Sequence, residues 1–358
     1  MERSMPLLLP KLIQDINALD VNNKITCVVV TISMGWALEV AHKLGIKGAF
    51  LFPFSATTSA SVCCIPRFMH DGIIDSDGIP TKKQEIQLSP NMPMMDTTNL
   101  PWISLGKIFF DNIVQDVMHN MELAEWWLCN SAYDLEPGAS SISPKLLPIG
   151  PLMETDNNNK SSSFWKEDTT CLEWLDQQQP QSVVYVSFGS LAVMESNQFK
   201  ELALALDLIH KPFLWVVRTG NDNAYPDEFH GSKGKIVSWA PQKKVLNHSA
   251  VACFISHCGW NSTIESVYSG VPFLCFPFFS DQFWNKSYIC EVWKVGMGLD
   301  KNENGLVSKE EIRKKVEQLL QDESIRERSL KLKQVIQKNL VEGGQSSKNH
   351  QMFINWAK

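Results

Sequence analysis

The 358-residue sequence contains no apolar run approaching the roughly 20 residues needed to cross a bilayer. Its opening, MERSMPLLLPK, is not a convincing signal peptide, because Pro and Lys interrupt the short apolar core. No Asp-rich motif and no Cys/His spacing suited to a metal occurs, so no metal site is expected. The nine cysteines are scattered, with Cys63 and Cys64 adjacent, and form no Cys-x-x-Cys pair. That usage fits reduced core thiols in a cytoplasmic protein better than a disulfide framework. Positive charge is also scarce: 33 Lys and Arg against 39 Asp and Glu leave a formal net charge of −6. Nucleic acid and anionic membrane surfaces are therefore poor candidate partners. What remains is an ordinary globular composition, 44% hydrophobic and 20% charged, at a length that predicts two domains.

Hydrophobic patterning predicts alternating strands and helices, an α/β chain with parallel sheets. In residues 1–150, PLLLPKLIQDINAL reads as a helix, and ITCVVVT and GIKGAFLF read as strands flanking the helix WALEVAHKL. Pro80–Trp102 is rich in Pro and Met and irregular, either a pocket-lining loop or a plain surface excursion. Residues 151–169 hold the polar run ETDNNNKSSS and read as a linker. A second domain over 170–340 opens with the helix CLEWLDQQ and continues through VVYVSFG, ESNQFKELALALDLI and PFLWVVR. Ser308–Glu311 has the form of a capping box before the helix EIRKKVEQLLQD, and residues 341–358 form a terminal helix.

The densest chemistry lies between Trp239 and Gln282. Ala250–Ser256 (AVACFIS) is a short apolar run suited to a buried parallel strand, and TIESVYSG reads as a helix ending at Gly270. Between them, His257 to Ser262 breaks the pattern. A strand, a Gly-containing turn and a helix N-terminus aim unpaired N–H groups and the positive end of the helix dipole at one spot, which favours an anion. Asn261 or Ser262 would be the N-cap, and His257 could add a donor to a diphosphate. Glu265, one turn beyond Asn261, suits two vicinal ribose hydroxyls. Trp239 offers a shelf for a flat base, and Asp281 and Gln282 offer groups to sugar hydroxyls. Singly, a His after a strand, a helix Glu or a Trp is usually structural; order and spacing together point to a nucleotide-sugar site.

This segment closely resembles the signature box of plant secondary-product UDP-glycosyltransferases. The resemblance implies that Trp239 stacks on uracil, with Ala240 and Gln242 near the nucleoside. It places His257 at the diphosphate, Asn261 and Ser262 at phosphate and sugar, Trp260 along the hexose and Glu265 on the ribose. Asp281 and Gln282 would hold the sugar, the terminal glutamine leaning toward glucose, and Ser190 in VVYVSFGS would contact phosphate. WWLCNSAYDLEPGA, LLPIGPL and the closing GGQSSKNHQMFINWAK extend the similarity over nearly the whole chain.

The implied architecture is two Rossmann-like α/β domains facing a cleft, glycosyltransferase type B. The first would bind the acceptor, the second UDP-sugar, and the terminal helix would cross back to the first. The implied reaction is inverting transfer of glucose from UDP-glucose, a co-substrate, to a hydroxyl of a small hydrophobic flavonoid, phenolic or terpenoid, with no metal or cofactor, by a monomer. Two departures qualify it. The family's first β-strand and the base histidine following it have no counterpart, so the first domain is expected to be incomplete by on the order of 100 residues, at roughly 30 or more per βα unit. Where many members carry the aspartate that orients the base, this chain has Thr31, whose hydroxyl cannot offset an imidazolium charge. The catalytic residue is therefore unassigned, His42 and His70 being poor substitutes, while the donor site looks complete. The competing expectations are a truncated, catalytically defective UDP-sugar-binding protein and, from another class, a nucleotide-sugar epimerase.

Overall fold

Short β-branched and aromatic runs become parallel strands of two sheets, with Val183–Ser187 and Phe213–Val216 buried along their whole length. A computed structural model describes residues 5–153, 165–218 and 223–358. The polar run at 154–163, read above as a linker, lies outside the described residues. The chain divides into two compact units. One holds the described residues up to Leu152 together with Phe279–Trp284 and Ile336–Lys358; the other holds the described residues from Met153 to Phe278 and Asn285–Val335.

In the first unit the chain lays down β1 (Cys27–Val30), β2 (Lys47–Phe52), the short antiparallel pair β3 (Glu85–Ile86) and β4 (Met95–Asp96), then β5 (Trp126–Cys129) and β6 (Leu146–Pro148). Four of them form a parallel sheet in the order β1-β2-β5-β6. The Pro80–Trp102 excursion is anchored rather than loose: Leu88, Met92, Met95, Leu100 and Trp102 are all buried in this unit's core. The C-terminal helix Gln345–Ala357 packs Phe353 against Ala49, Leu128 and Leu147 of the same sheet. The amino-terminal helix Met5–Leu19 buries Ile13 but leaves Leu7, Leu8, Leu12 and Leu19 exposed, and Val29 on the edge strand is also exposed.

The second unit contributes β7 (Val183–Ser187), β8 (Phe213–Val216), β9 (Gly234–Val237), β10 (Val251–Ser256), β11 (Phe273–Cys275) and β12 (Gly296–Gly298). All are parallel, in the order β12-β11-β10-β7-β8-β9. Counted by appearance, that is the doubly wound order in which chain direction across the sheet reverses between β7 and β10. Every residue of β7 is buried, as a strand covered on both faces requires. Reversal opens a crevice at the carboxyl ends of those two strands, where open α/β sheets bind ligands. The capping box exists on its first side: Ser308 accepts from the Glu311 N–H at 3.2 Å. All nine cysteines are free thiols. Among the described residues no helix is long and apolar enough to cross a membrane.

Candidate functional site

Strand β7 ends at Ser187, and Phe188-Gly189-Ser190 turns away from its carboxyl end. Gly189 adopts a φ of +67°, and a Cβ there would stand 2.8 Å from His257 Nε2. Only glycine lets this backbone lie against the imidazole. Arg218 steadies the turn by donating to the carbonyls of Ser190 and Ala192. Ser190 itself is exposed.

Strand β10 delivers His257 to the same end of the sheet. Its side chain is buried, and its Nδ1 has no hydrogen-bond partner among the described residues. Burial depresses the imidazole pKa to about 4, with the Ser187 backbone opposing, so the ring is neutral near pH 7. Cys258 then takes a φ of +63°, a conformation costly for a side-chain-bearing residue, and its carbonyl accepts from Asn285 Nδ2 at 2.9 Å. Helix Trp260–Ser269 follows, capped at its carboxyl end by Gly270 with a φ of +75°. Its N-cap is Gly259 (φ −61°, ψ 144°), without a side-chain cap, and this corrects the expected cap at Asn261 or Ser262. The turn at Cys258 starts the helix earlier and puts both residues in its first turn. A Cβ on Gly259 would meet His257 Nε2 at 2.4 Å, so this glycine too is shaped by the ring.

From that helix, Asn261 is exposed, Ser262 buried and Glu265 half-buried. Gln242, first residue of the short helix Gln242–Leu246, bridges the last two: its Nε2 donates to Ser262 Oγ at 2.9 Å and to Glu265 Oε2 at 2.8 Å. Trp260 is only 3% exposed, so its indole belongs largely to the interior. Beyond β9, Ala240 is buried, and Trp239 lies against Trp165, ring centroids 6.0 Å apart and tilted by 35°. Thus Trp239, Ala240 and Gln242 join Ser262 and Glu265 in one neighbourhood, and His257 joins the Gly189 and Gly259 turns. Asp281 and Gln282 fall in the first unit; both are buried, and Gln282 Oε1 accepts from the Phe279 N–H at 3.1 Å.

Three contributors were not flagged by sequence reasoning. Trp165 stands beside the linker run and gave no periodic signal. Asn285 sits in the helix Gln282–Ser287, 27 positions from the carbonyl it holds, and Tyr185 is hidden inside an apolar strand. In the first unit, Thr31 follows β1 exposed, its hydroxyl 3.3 Å from Ser33 Oγ. Among the described residues no group of three or more His, Cys, Asp or Glu is placed to hold a metal ion.

The state of His257 has a measurable consequence. Between its folded pKa of about 4 and its unfolded value of 6.5, the unfolded chain binds more protons, so stability rises with pH. The contribution is complete above 6.5 and is lost as pH falls toward 4. Moving from about pH 7 to pH 5 should cost about 2 kcal/mol through this one group. Urea midpoints at both pH values would show that cost in the native chain and its disappearance in His257→Asn; an equal pH slope in the two proteins would refute it.

Comparison with known proteins gives the family. Residues 94–343 match the family model for UDP-glucoronosyl and UDP-glucosyl transferase. UDP-glycosyltransferase 83A1 of Arabidopsis thaliana is 43% identical over 343 residues, covering 93% of this chain and 73% of its own length. UDP-glycosyltransferase 74E2 of the same plant is 34% identical, covering 99% of this chain and 82% of its own. Among solved structures, Phytolacca americana UGT2 complexed with UDP-2fluoro-glucose and pterostilbene aligns with a TM-score of 0.84 at 27% identity, covering 98% of this chain and 80% of that one. A Polygonum tinctorium UDP-glucosyltransferase capable of glucosylating indoxyl aligns with a TM-score of 0.83 at 28% identity, covering 99% and 82%. With a family model spanning more than half of it and relatives of this identity along its length, the chain belongs to the UDP-glucoronosyl and UDP-glucosyl transferase family, as a plant-type UDP-glycosyltransferase of the type B fold.

Proposed function

We propose that this chain holds UDP-glucose at the carboxyl ends of β7 and β10 and directs the glucosyl group to a hydroxyl of a small hydrophobic plant metabolite. The observation that carries the reading is the Gln242–Ser262–Glu265 cluster beside the amino end of helix Trp260–Ser269. The ribose hydroxyls donate to Glu265, the uracil lies along Trp239, and the diphosphate rests on the helix N-terminus with neutral His257 and Ser190 as donors. Asn261 reaches the phosphate and sugar. The leaving diphosphate is stabilised by fixed N–H groups, an electrostatic task that needs no cofactor. Nine free thiols favour a cytosolic address.

A second reading, donor binding without turnover, is favoured by Thr31. Its hydroxyl pairs with Ser33 Oγ, and His42, His70 and His119 in the same unit are exposed on helices rather than at strand ends. Two measurements separate the readings. Titration with UDP in a calorimeter should give saturable binding under either. Incubation with UDP-glucose and a panel of flavonoid, phenolic and terpenoid aglycones should yield a glucoside under the first alone. Absence of UDP binding would end both.

A further inference from the structure

Tyr185 occupies the middle of β7, 1% exposed, its ring stacked on Phe254 of β10 at 4.9 Å and 23°. Its hydroxyl bonds Gln242 Oε1 at 3.2 Å, the same side chain whose Nε2 reaches Ser262 and Glu265. The directions in this chain of bonds are forced. A carboxylate only accepts, so the amide nitrogen must face Glu265. The amide oxygen then faces Tyr185, and the phenol must donate. Burial raises the phenol pKa, so the hydroxyl keeps the proton it gives. Both hydrogens of Nε2 are committed, one to each acceptor.

We propose that Tyr185 is a positioning residue for the nucleotide's ribose: by fixing the amide of Gln242 it holds the Glu265 carboxylate in the orientation that two vicinal hydroxyls require. This rests on the donor-site reading above. Without the phenolic hydroxyl, the Gln242 amide loses its third tether and can rotate, and Glu265 gains rotamers that must be frozen again on binding. The ring packing, by contrast, does not depend on the oxygen, so phenylalanine should preserve the core.

The test compares UDP with 2′,3′-dideoxyuridine diphosphate, which carries the same base and diphosphate but no ribose hydroxyl. Calorimetry on the whole chain should show Tyr185→Phe weakening UDP about fivefold, as expected for one lost hydrogen bond, with the dideoxy ligand changed less than about twofold. A merely structural role would weaken both ligands by the same factor, and that result, or no weakening of UDP, would overturn the proposal. If Tyr185→Phe does not fold, Gln242→Met, which leaves β7 intact, must show the same ligand-selective loss; equal losses there would overturn it too. Failure of the unaltered chain to bind UDP would remove the donor-site reading itself, whereas UDP binding with equal losses removes only the role of Tyr185.

Discussion

Replacing Glu136 with alanine is expected to destabilise the first unit by about 3–5 kcal/mol, as removal of a fully buried, multiply bonded carboxylate should. The side chain has no exposure. One carboxylate oxygen accepts from the Ala56 N–H at 2.9 Å and from Ser131 Oγ at 2.5 Å, and the other accepts from the Thr57 N–H at 2.9 Å. Those amides open the helix Ala56–Cys63, whose first N–H groups have no partner within the helix. Ser55 Oγ takes the Thr58 N–H, so between them Ser55 and Glu136 satisfy consecutive donors of a buried helix end. Burial raises the carboxyl pKa despite these donors. Truncation leaves two amides and the hydroxyls of Ser131 and Thr57 facing a cavity. Glu136→Gln should recover only part of the loss, because its amide nitrogen would face a donor. Denaturant unfolding measures the cost, and hydrogen exchange at Ala56 and Thr57 locates it; a change below about 1 kcal/mol with both amides still protected would show that water replaces the carboxylate.

Much of the second unit was legible because strands buried on both faces need no polar alternation. VVYVS, FLWV and VACFIS stand out as apolar runs, and they are β7, β8 and β10. The turn, the helix and Gly270 as its terminator followed from local rules. The start of that helix did not. Asn261 and Ser262 are the best local caps, yet Gly259 takes the place because Cys258 bends the chain before them, held from residue 285. Ser262 is committed instead to Gln242. The same limit hid Glu136, whose acidic, Pro/Gly-flanked setting reads as a solvated loop, while the two amides it accepts from lie 79 and 80 positions upstream. Tyr185 was invisible for the opposite reason: in an apolar strand an aromatic residue reads as core, and only the fold shows what its hydroxyl meets. Pattern shows which residues are buried; pairings across tens of positions require the sheet order.

The largest functional effect should come from Glu265→Ala, which is expected to weaken UDP about 100-fold. Under the donor-site proposal two charge-assisted bonds to ribose hydroxyls are lost, each worth about 1.5 kcal/mol or more, and about 2.7 kcal/mol is a factor of 100. Part of that loss is local, because Gln242 Nε2 also loses an acceptor at 2.8 Å. Inorganic pyrophosphate separates the two contributions: it presents the anion without the ribose, so its competition should be the same in native and variant chains if the helix end is undisturbed. Where glucosyl transfer is measurable, the variant should raise KM for UDP-glucose far more than it lowers kcat, since the ribose is held equally in ground and transition states. UDP binding that survives Glu265→Ala unchanged, or pyrophosphate binding that falls with it, would mean that this carboxylate shapes the turn rather than gripping the nucleotide.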